Sequence, residues 1–401
     1  MKFSVLLPTR NRLDYLRYAV ETVLRQDYYN WELIVFDNCS EDDVAGYVRT
    51  LNDSRIQYYR TEQFVSVTEN WNNAINKSSG DYVVMLGDDD GLMPGYFSTL
   101  KLLIERHAHP DLVYTGAYLY AYPGAMPGSP QGYLQPYGYA SFLQGLEAPR
   151  LLARDEALAL VQHALNFRVR YGFNMQFVAI ARPLIAQLAA RGPFFQSPFP
   201  DYYAMNVLFL KAARILAVPQ PLVVIGVTTK SYGYFHFNKR ERAGMAFLNN
   251  APDPASAKRL EAVVLPGTNI NTSWLFAMET LRANYGREFP LRVGYRRYRM
   301  LQIVNMYKNA YVDGRISADA LRDLNQLMRP GERLLFATIL PLFCTLLLLA
   351  SRAGMRGVID YLRPLLRQFP AYAPPPNEGN YRTLLDVFEH AEPQAATRQL
   401  P

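Results

Sequence analysis

The chain has 401 residues and a mass of 45.8 kDa, with 50% hydrophobic and 19% charged residues, enough for one large domain and an appendage. A mean hydropathy of −0.12 excludes a multi-span membrane protein, 13% aromatics exclude disorder over most of the length, and two cysteines, Cys39 and Cys344, exclude a disulfide framework or a Cys-based zinc site. The net charge of +7 suits an anionic ligand or an anionic membrane surface without choosing between them.

The chain opens on MKFSVLLPTRNR, whose apolar run closes at Pro8 and is too short for a signal-peptide core, so the expected setting is the cytosolic face. Phe3–Leu7 reads as a strand. Leu13, Leu16, Val20, Val23 and Leu24 then recur at helical spacing, with Asn11 as the expected N-cap. Glu32–Phe36 is a second strand ended by Asp37, Glu41–Leu51 a helix, Arg55–Tyr59 a third strand and Thr68–Lys77 a helix. Tyr82–Leu86 is a fourth strand, Pro94–Arg106 a helix and Asp111–Thr115 a fifth strand. This tight alternation predicts an α/β fold with a doubly wound, mainly parallel sheet. Residues 123–149, rich in Pro, Gly and Tyr, read as a long loop. Helices at Asp155–Leu165 and Asp201–Ala213 and strands at Phe177–Ala181 and Leu222–Val227 follow.

Beyond about residue 255 the pattern is helical. Arg282–Arg299 carries six arginines against Glu288, and Leu334–Ala350 is an uncharged run broken by Pro341 and flanked by arginines. Such a run reads either as an in-plane helix on an anionic leaflet or as a buried helix of a C-terminal bundle. The expected domains are 1–250, divided into a 1–120 half and a 121–250 half, then a helical region 251–371 and a loosely held tail 372–401. No internal repeats are visible.

In open α/β sheets, ligands bind beyond the C-terminal ends of the strands. Those ends carry Pro8-Thr9-Arg10-Asn11, Asp37-Asn38 and Gly87-Asp88-Asp89-Asp90. No GxGxxG follows the first strand, which argues against a dinucleotide site. Three consecutive carboxylates need a counter-charge, and Mn²⁺ or Mg²⁺, which take oxygen ligands, would supply it; the bland alternative is a solvated acidic turn.

With VLLPTRNR, VFDNCSEDD and YVVMLGDDDGLMP in this order and spacing, the chain resembles the nucleotide-sugar glycosyltransferases of the GT-A fold, and most of all the inverting family 2. The resemblance is strongest over residues 1–120. It implies a nucleoside diphosphate sugar donor, UDP-linked, held by Pro8, Thr9, Arg10 and Asp37, with Asn70 near the donor on the helix before strand four. Asp88 and Asp89 would contact the donor, and Asp90, Asp88 and His236 would hold the divalent cation. Asp37 also reads as a simple turn former, and His236 as a packed imidazole in an aromatic cluster. An inverting transfer needs a base, and Asp201, after Pro200 at a helix start, is the expected one; Asp155 is the rival. The acceptor would be a glycan or a lipid-linked sugar, with no role for nucleic acid. The competing readings are a sugar nucleotidyltransferase, which usually shows a Gly-rich basic loop that PTRNR is not, and a silent nucleotide-binding scaffold at the membrane.

Overall fold

The computed structural model describes residues 1–137, 140–238, 240–252, 254–311, 318–336 and 381–397. The described residues form two compact units, one within Met1–Val161, Tyr171–Ala251 and Ala373–Pro401, the other within Gln162–Arg170 and Pro252–Tyr372.

The first unit is built on one sheet. Its strands are β1 (Phe3–Thr9), β2 (Trp31–Asp37), β3 (Ile56–Arg60), β4 (Tyr82–Met85), β5 (Gly91–Leu92), β6 (Leu112–Ala121), β7 (Tyr133–Pro136), β8 (Arg150–Leu152), β9 (Val178–Ala181) and β10 (Ile215–Val227). The order is β3-β2-β1-β4-β9-β6-β10-β5, with β7 on β6 and β8 on β10. The 3-2-1-4 half is parallel throughout, as is the β6–β10 pair, while β9 runs antiparallel between β4 and β6. The mixed α/β class with a mainly parallel sheet is therefore the expected one. Every residue of β1, β2 and β4 is buried, which is why these strands read as unbroken apolar runs. Helices α1 (Leu13–Leu24), α2 (Val44–Leu51), α3 (Val67–Lys77) and α4 (Tyr96–Arg106) connect them, followed by α5 (Arg154–Leu165), α6 (Arg182–Leu188), α7 (Pro200–Lys211), α8 (Tyr232–Phe237) and α9 (Glu241–Leu248).

Four local expectations change. Asn11 is not the cap of α1: it takes a left-handed conformation at φ 53°, Arg12 is the N-cap residue, and Asp42 Oδ2 accepts the Leu13 N–H at 3.0 Å from the neighbouring loop. The 123–149 stretch is not all loop. Gly132, at φ 71°, turns the chain back where a Cβ would meet the Ala121 carbonyl oxygen at 2.2 Å, and β7 then pairs antiparallel with β6. Phe142 anchors the rest edge-on against Tyr114 at 4.9 Å between centroids. The last strand starts at Ile215, seven residues earlier than the apolar run suggested, and crosses Pro219 and Pro221 through two register shifts opposite Gly116. Finally, residues 381–397 of the expected tail carry a helix, α15 (Leu384–Thr397), whose Leu384, Val387 and Phe388 are buried. Leu384 packs where a Cβ on Gly91 would meet it at 2.8 Å, just past the acidic loop.

Glu32 ties β1, β2 and the turn before β4 together. It is 3% exposed, and accepts from Lys2 Nζ at 2.6 Å, Ser4 Oγ at 2.6 Å and the Ser79 N–H at 2.6 Å. Burial alone would raise its pKa, but Lys2 and the Ser4 and Ser79 donors outweigh it and hold the carboxyl down at about 2. The folded pKa lies below the unfolded one, so this stability is present above the ordinary Glu range and is lost as pH falls towards 2. A shift of this size is worth roughly 3 kcal/mol. Glu32→Gln should lower urea-unfolding stability by about that much at pH 7 and by much less near pH 2.5; an equal loss at both would contradict the assignment.

The second unit contains α10 (Pro254–Leu260), α11 (Asn269–Tyr285), α12 (Tyr295–Tyr311), α13 (Ala318–Leu327) and α14 (Pro330–Leu334). Leu265, Ile303, Met306, Leu324, Met328 and Phe336 form its core. The basic stretch is not a uniform surface: Arg299 is buried and forks onto Glu332 at 2.8 Å, and Arg282 pairs with the buried Glu279, while Arg287, Arg292 and Arg296 are exposed. Of the Leu334–Ala350 run, Phe336 lies in this core and residues 337–350 lie outside the described residues. Among the described residues no helix is long and apolar enough to cross a membrane.

Candidate active site

The sheet order reverses direction at β1, whose neighbours β2 and β4 lead to opposite sides, so the ends of β1 and β4 open at a topological switch point. The acidic turn Asp88–Asp90 follows β4 there, with all three aspartates buried. Thr9 Oγ1, at the end of β1, donates to Asp88 Oδ2 at 2.8 Å. Arg12 Nη1 donates to Asp88 Oδ1 at 2.7 Å and lies 3.4 Å from Asp89 Oδ1. Asp89 Oδ2 accepts from Thr228 Oγ1 at 3.3 Å and from Ser231 Oγ. Asp90 turns the other way, accepting from the Gly226 N–H at 2.7 Å, the Gly87 N–H at 3.0 Å and Gln176 Nε2 at 2.5 Å. Gly226 is required by this approach, since a Cβ there would lie 1.8 Å from the Asp89 carbonyl oxygen.

Burial pushes the Asp88 and Asp90 carboxyls above the usual carboxylate range. Arg12 pulls Asp88 back down, whereas Asp89 drives Asp90 further up. The counter-charge expected from a metal is thus supplied in part by Arg12. Among the described residues no three His, Cys, Asp or Glu side chains converge as a metal-holding group. His236 is not gathered with the aspartates; its Nδ1 lies 2.9 Å from Glu241 Oε1.

Around the second strand end, Asp37 is fully buried. Its Oδ1 accepts the Ser40 N–H at 2.8 Å and its Oδ2 the Tyr58 hydroxyl at 2.8 Å, with Arg60 at 3.4 Å. This is the geometry of a turn former with an added Tyr–Arg clamp. Pro8 lies past the last β4 pairing, where no ladder N–H is needed on that side. The Arg10 guanidinium stacks 3.3 Å from the centroid of Phe64. Asn70 is buried on α3 and donates to the Phe36 carbonyl at 3.4 Å; its Oδ1 has no partner among the described residues.

Asp201 sits in the first turn of α7, where its Oδ1 accepts the Tyr202 N–H at 3.0 Å. Phe199 stacks on Tyr202 at 4.9 Å, Phe173 meets Tyr202 edge-on at 4.7 Å, and Tyr232 meets Phe199 edge-on at 4.9 Å. Loss of hydration in this aromatic setting outweighs the two backbone N–H donors and pushes the carboxyl up to about 7. The rival, Asp155, is exposed at the start of α5 beside Glu156, which pairs with Arg150.

Arg12, Gly226, Thr228 and Ser231 are residues that sequence reasoning missed. A signal existed for one: three adjacent acids demand a cation, and Arg12 follows the strand that abuts them.

Residues 4–139 match the family described as Glycosyl transferase family 2, and this stretch is a family 2 glycosyltransferase domain. The chain is 38% identical over 112 residues to the GalNAc(5)-diNAcBac-PP-undecaprenol beta-1,3-glucosyltransferase of Campylobacter jejuni, covering 27% of this chain and 36% of that protein. It is 32% identical over 87 residues to the UDP-Glc:alpha-D-GlcNAc-diphosphoundecaprenol beta-1,3-glucosyltransferase WfgD of Escherichia coli, covering 22% and 34%. The match thus spans about a third of each of these relatives. Among solved structures, S. aureus TarS 1-349 in complex with UDP-GlcNAc aligns with a TM-score of 0.46 at 15% identity, covering 79% of this chain and 89% of that one.

Proposed function

We propose that the chain transfers a sugar, with inversion, from a nucleoside diphosphate donor, UDP-linked, to a hydroxyl of a glycan or lipid-linked acceptor. The observation that carries this is the buried Asp88–Asp90 turn, hydrogen-bonded to Thr9 at the switch point and lying within the family 2 stretch. Pro8, Thr9, Arg10, Asp37 and Asn70 line the ends of β1 and β2 and the adjoining helix and are assigned to the nucleoside. The two relatives named for undecaprenol-diphosphate acceptors support a lipid-linked one here.

The acidic turn fits a divalent cation in charge and donor chemistry. Three buried carboxyls face one buried guanidinium, and the mutual repulsion and burial that push Asp88 and Asp90 upward are what a cation bound to their oxygens would relieve. Asp90 and Asp88 would hold Mn²⁺ or Mg²⁺, and the ion when bound supplies charge stabilisation for the departing diphosphate. His236, which pairs with Glu241 and is not gathered with the aspartates, is left out of this ligand set. Asp201 accepts the proton of the acceptor hydroxyl as its oxygen bonds to the anomeric carbon and the bond from that carbon to the diphosphate oxygen breaks. The aromatic rings packed on Tyr202, beside Asp201, offer faces for a sugar ring.

Pure protein incubated with UDP-sugars and Mn²⁺ should release UDP, slowly to water and faster with a lipid-linked sugar acceptor. Pyrophosphate release from a sugar phosphate and UTP would instead identify a nucleotidyltransferase, and no turnover with intact UDP binding a silent scaffold. The proposed setting is the cytoplasmic membrane face, reached through exposed Arg287, Arg292 and Arg296. Attraction to anionic lipid is worth roughly 1 kcal/mol per basic residue near the surface and is screened by salt. The protein should co-sediment with anionic vesicles at low salt and be partly released at high salt; indifference to anionic vesicles at low salt would remove the membrane from the account.

A further inference from the structure

Arg12 does more than neutralise one neighbour. Its Nη1 serves Asp88 and approaches Asp89, while its Nη2 donates to the carbonyl of Lys230. Lys230 Nζ reaches back to the Asn11 carbonyl at 2.9 Å, and Ser231 donates to Asp89. One buried guanidinium therefore holds two carboxylates and the 228–231 segment together. With Thr9 on Asp88 and the Gly226, Gly87 and Gln176 donors on Asp90, every carboxylate oxygen of the turn is engaged. A separate feature marks an unmet polar group beside them: the Tyr122 hydroxyl is buried, has no partner among the described residues, and feels Asp89 and Asp90. A cation on Asp88 would share its carboxylate with the Arg12 guanidinium 2.7 Å away, and two positive groups that close displace one another.

We propose that Arg12 is the resident counter-ion of the acidic turn, and that a divalent cation taken up by Asp88 and Asp90 displaces it from Asp88, so that loading the site releases the 228–231 segment. This rests on the reading of the turn as a cation site. The fork decides how firmly the resident charge is held: Lys in place of Arg keeps the charge but cannot span Asp88, Asp89 and the Lys230 carbonyl at once.

The test is Mn²⁺ binding to the full chain without nucleotide, by titration calorimetry, in wild type and Arg12→Lys, with hydrogen exchange of the 226–232 peptide. Losing a charge-assisted bond worth roughly 1.5–3 kcal/mol from the competitor should tighten Mn²⁺ about tenfold or more in Arg12→Lys. In wild type the 226–232 amides should exchange faster once Mn²⁺ is bound, a reading that needs no variant and holds if Arg12→Lys fails to fold. Equal or weaker Mn²⁺ binding by Arg12→Lys, or unchanged or greater protection of 226–232, would overturn the competition while leaving the cation site standing. If wild type binds no Mn²⁺ with or without UDP, the competition and the cation reading both fall.

Discussion

Asp201→Asn should reduce sugar transfer by about two to four orders of magnitude, the usual share of a general base, while UDP binding stays close to wild type. Asparagine keeps the shape of the side chain and can still accept the Tyr202 N–H through its amide oxygen, so α7 should start normally. What it loses is the ability to take a proton. The pH profile gives a second reading. With its carboxyl pushed up to about 7, Asp201 is largely protonated below neutrality, and a base works only when ionised. Wild-type transfer should rise with pH through about 7, and this acid limb should vanish in the Asn variant's residual rate. Normal turnover by Asp201→Asn would remove it from the mechanism and turn attention to Asp155.

Asp90→Ala should weaken UDP binding in Mn²⁺ by roughly ten- to a hundredfold, as expected for losing a contact to a charged group worth about 1.5–3 kcal/mol. Asp90 also organises the site. Its carboxylate accepts two backbone N–H groups, from Gly226 and Gly87, and the Gln176 amide. Truncation leaves the buried Gly226 N–H without that acceptor, which costs about 1–3 kcal/mol of stability. Calorimetry on the folded variant separates the two effects, and an unchanged UDP affinity in Mn²⁺ would remove Asp90 from the donor site.

The parallel half of the sheet was legible because its signals are local. FSVLL, ELIVF and YVVML are continuous apolar runs between helical patterns, and burial on both faces makes such runs. The elements that were misread depend on partners far away. Ile215–Pro221 continues a strand only because bulges carry it past two prolines beside Gly116, and Tyr133–Pro136 becomes a strand only because β6 is there to pair with it. The site divides the same way. Thr9, Asp37 and Asp88–Asp90 stand at strand ends and could be named from the chain. Arg12 meets Asp88 across 76 positions, Gly226 meets Asp90 across 136 and Ser231 meets Asp89 across 142, and no local pattern announces such contacts. A helix start favours an ionised Asp201, but burial, which follows from tertiary packing and has no local signature, pushes its pKa upward instead.

The central claim is that the buried turn at the end of β4 receives the diphosphate of a nucleotide sugar with a divalent cation. A thermal-unfolding panel of UDP, GDP, CDP and ADP, each with Mn²⁺ and with EDTA, tests it most directly. The account predicts that UDP with Mn²⁺ raises the melting temperature more than the other nucleotides do, and that EDTA removes most of the rise. A chain whose melting temperature moves with none of the four, with or without Mn²⁺, would contradict it.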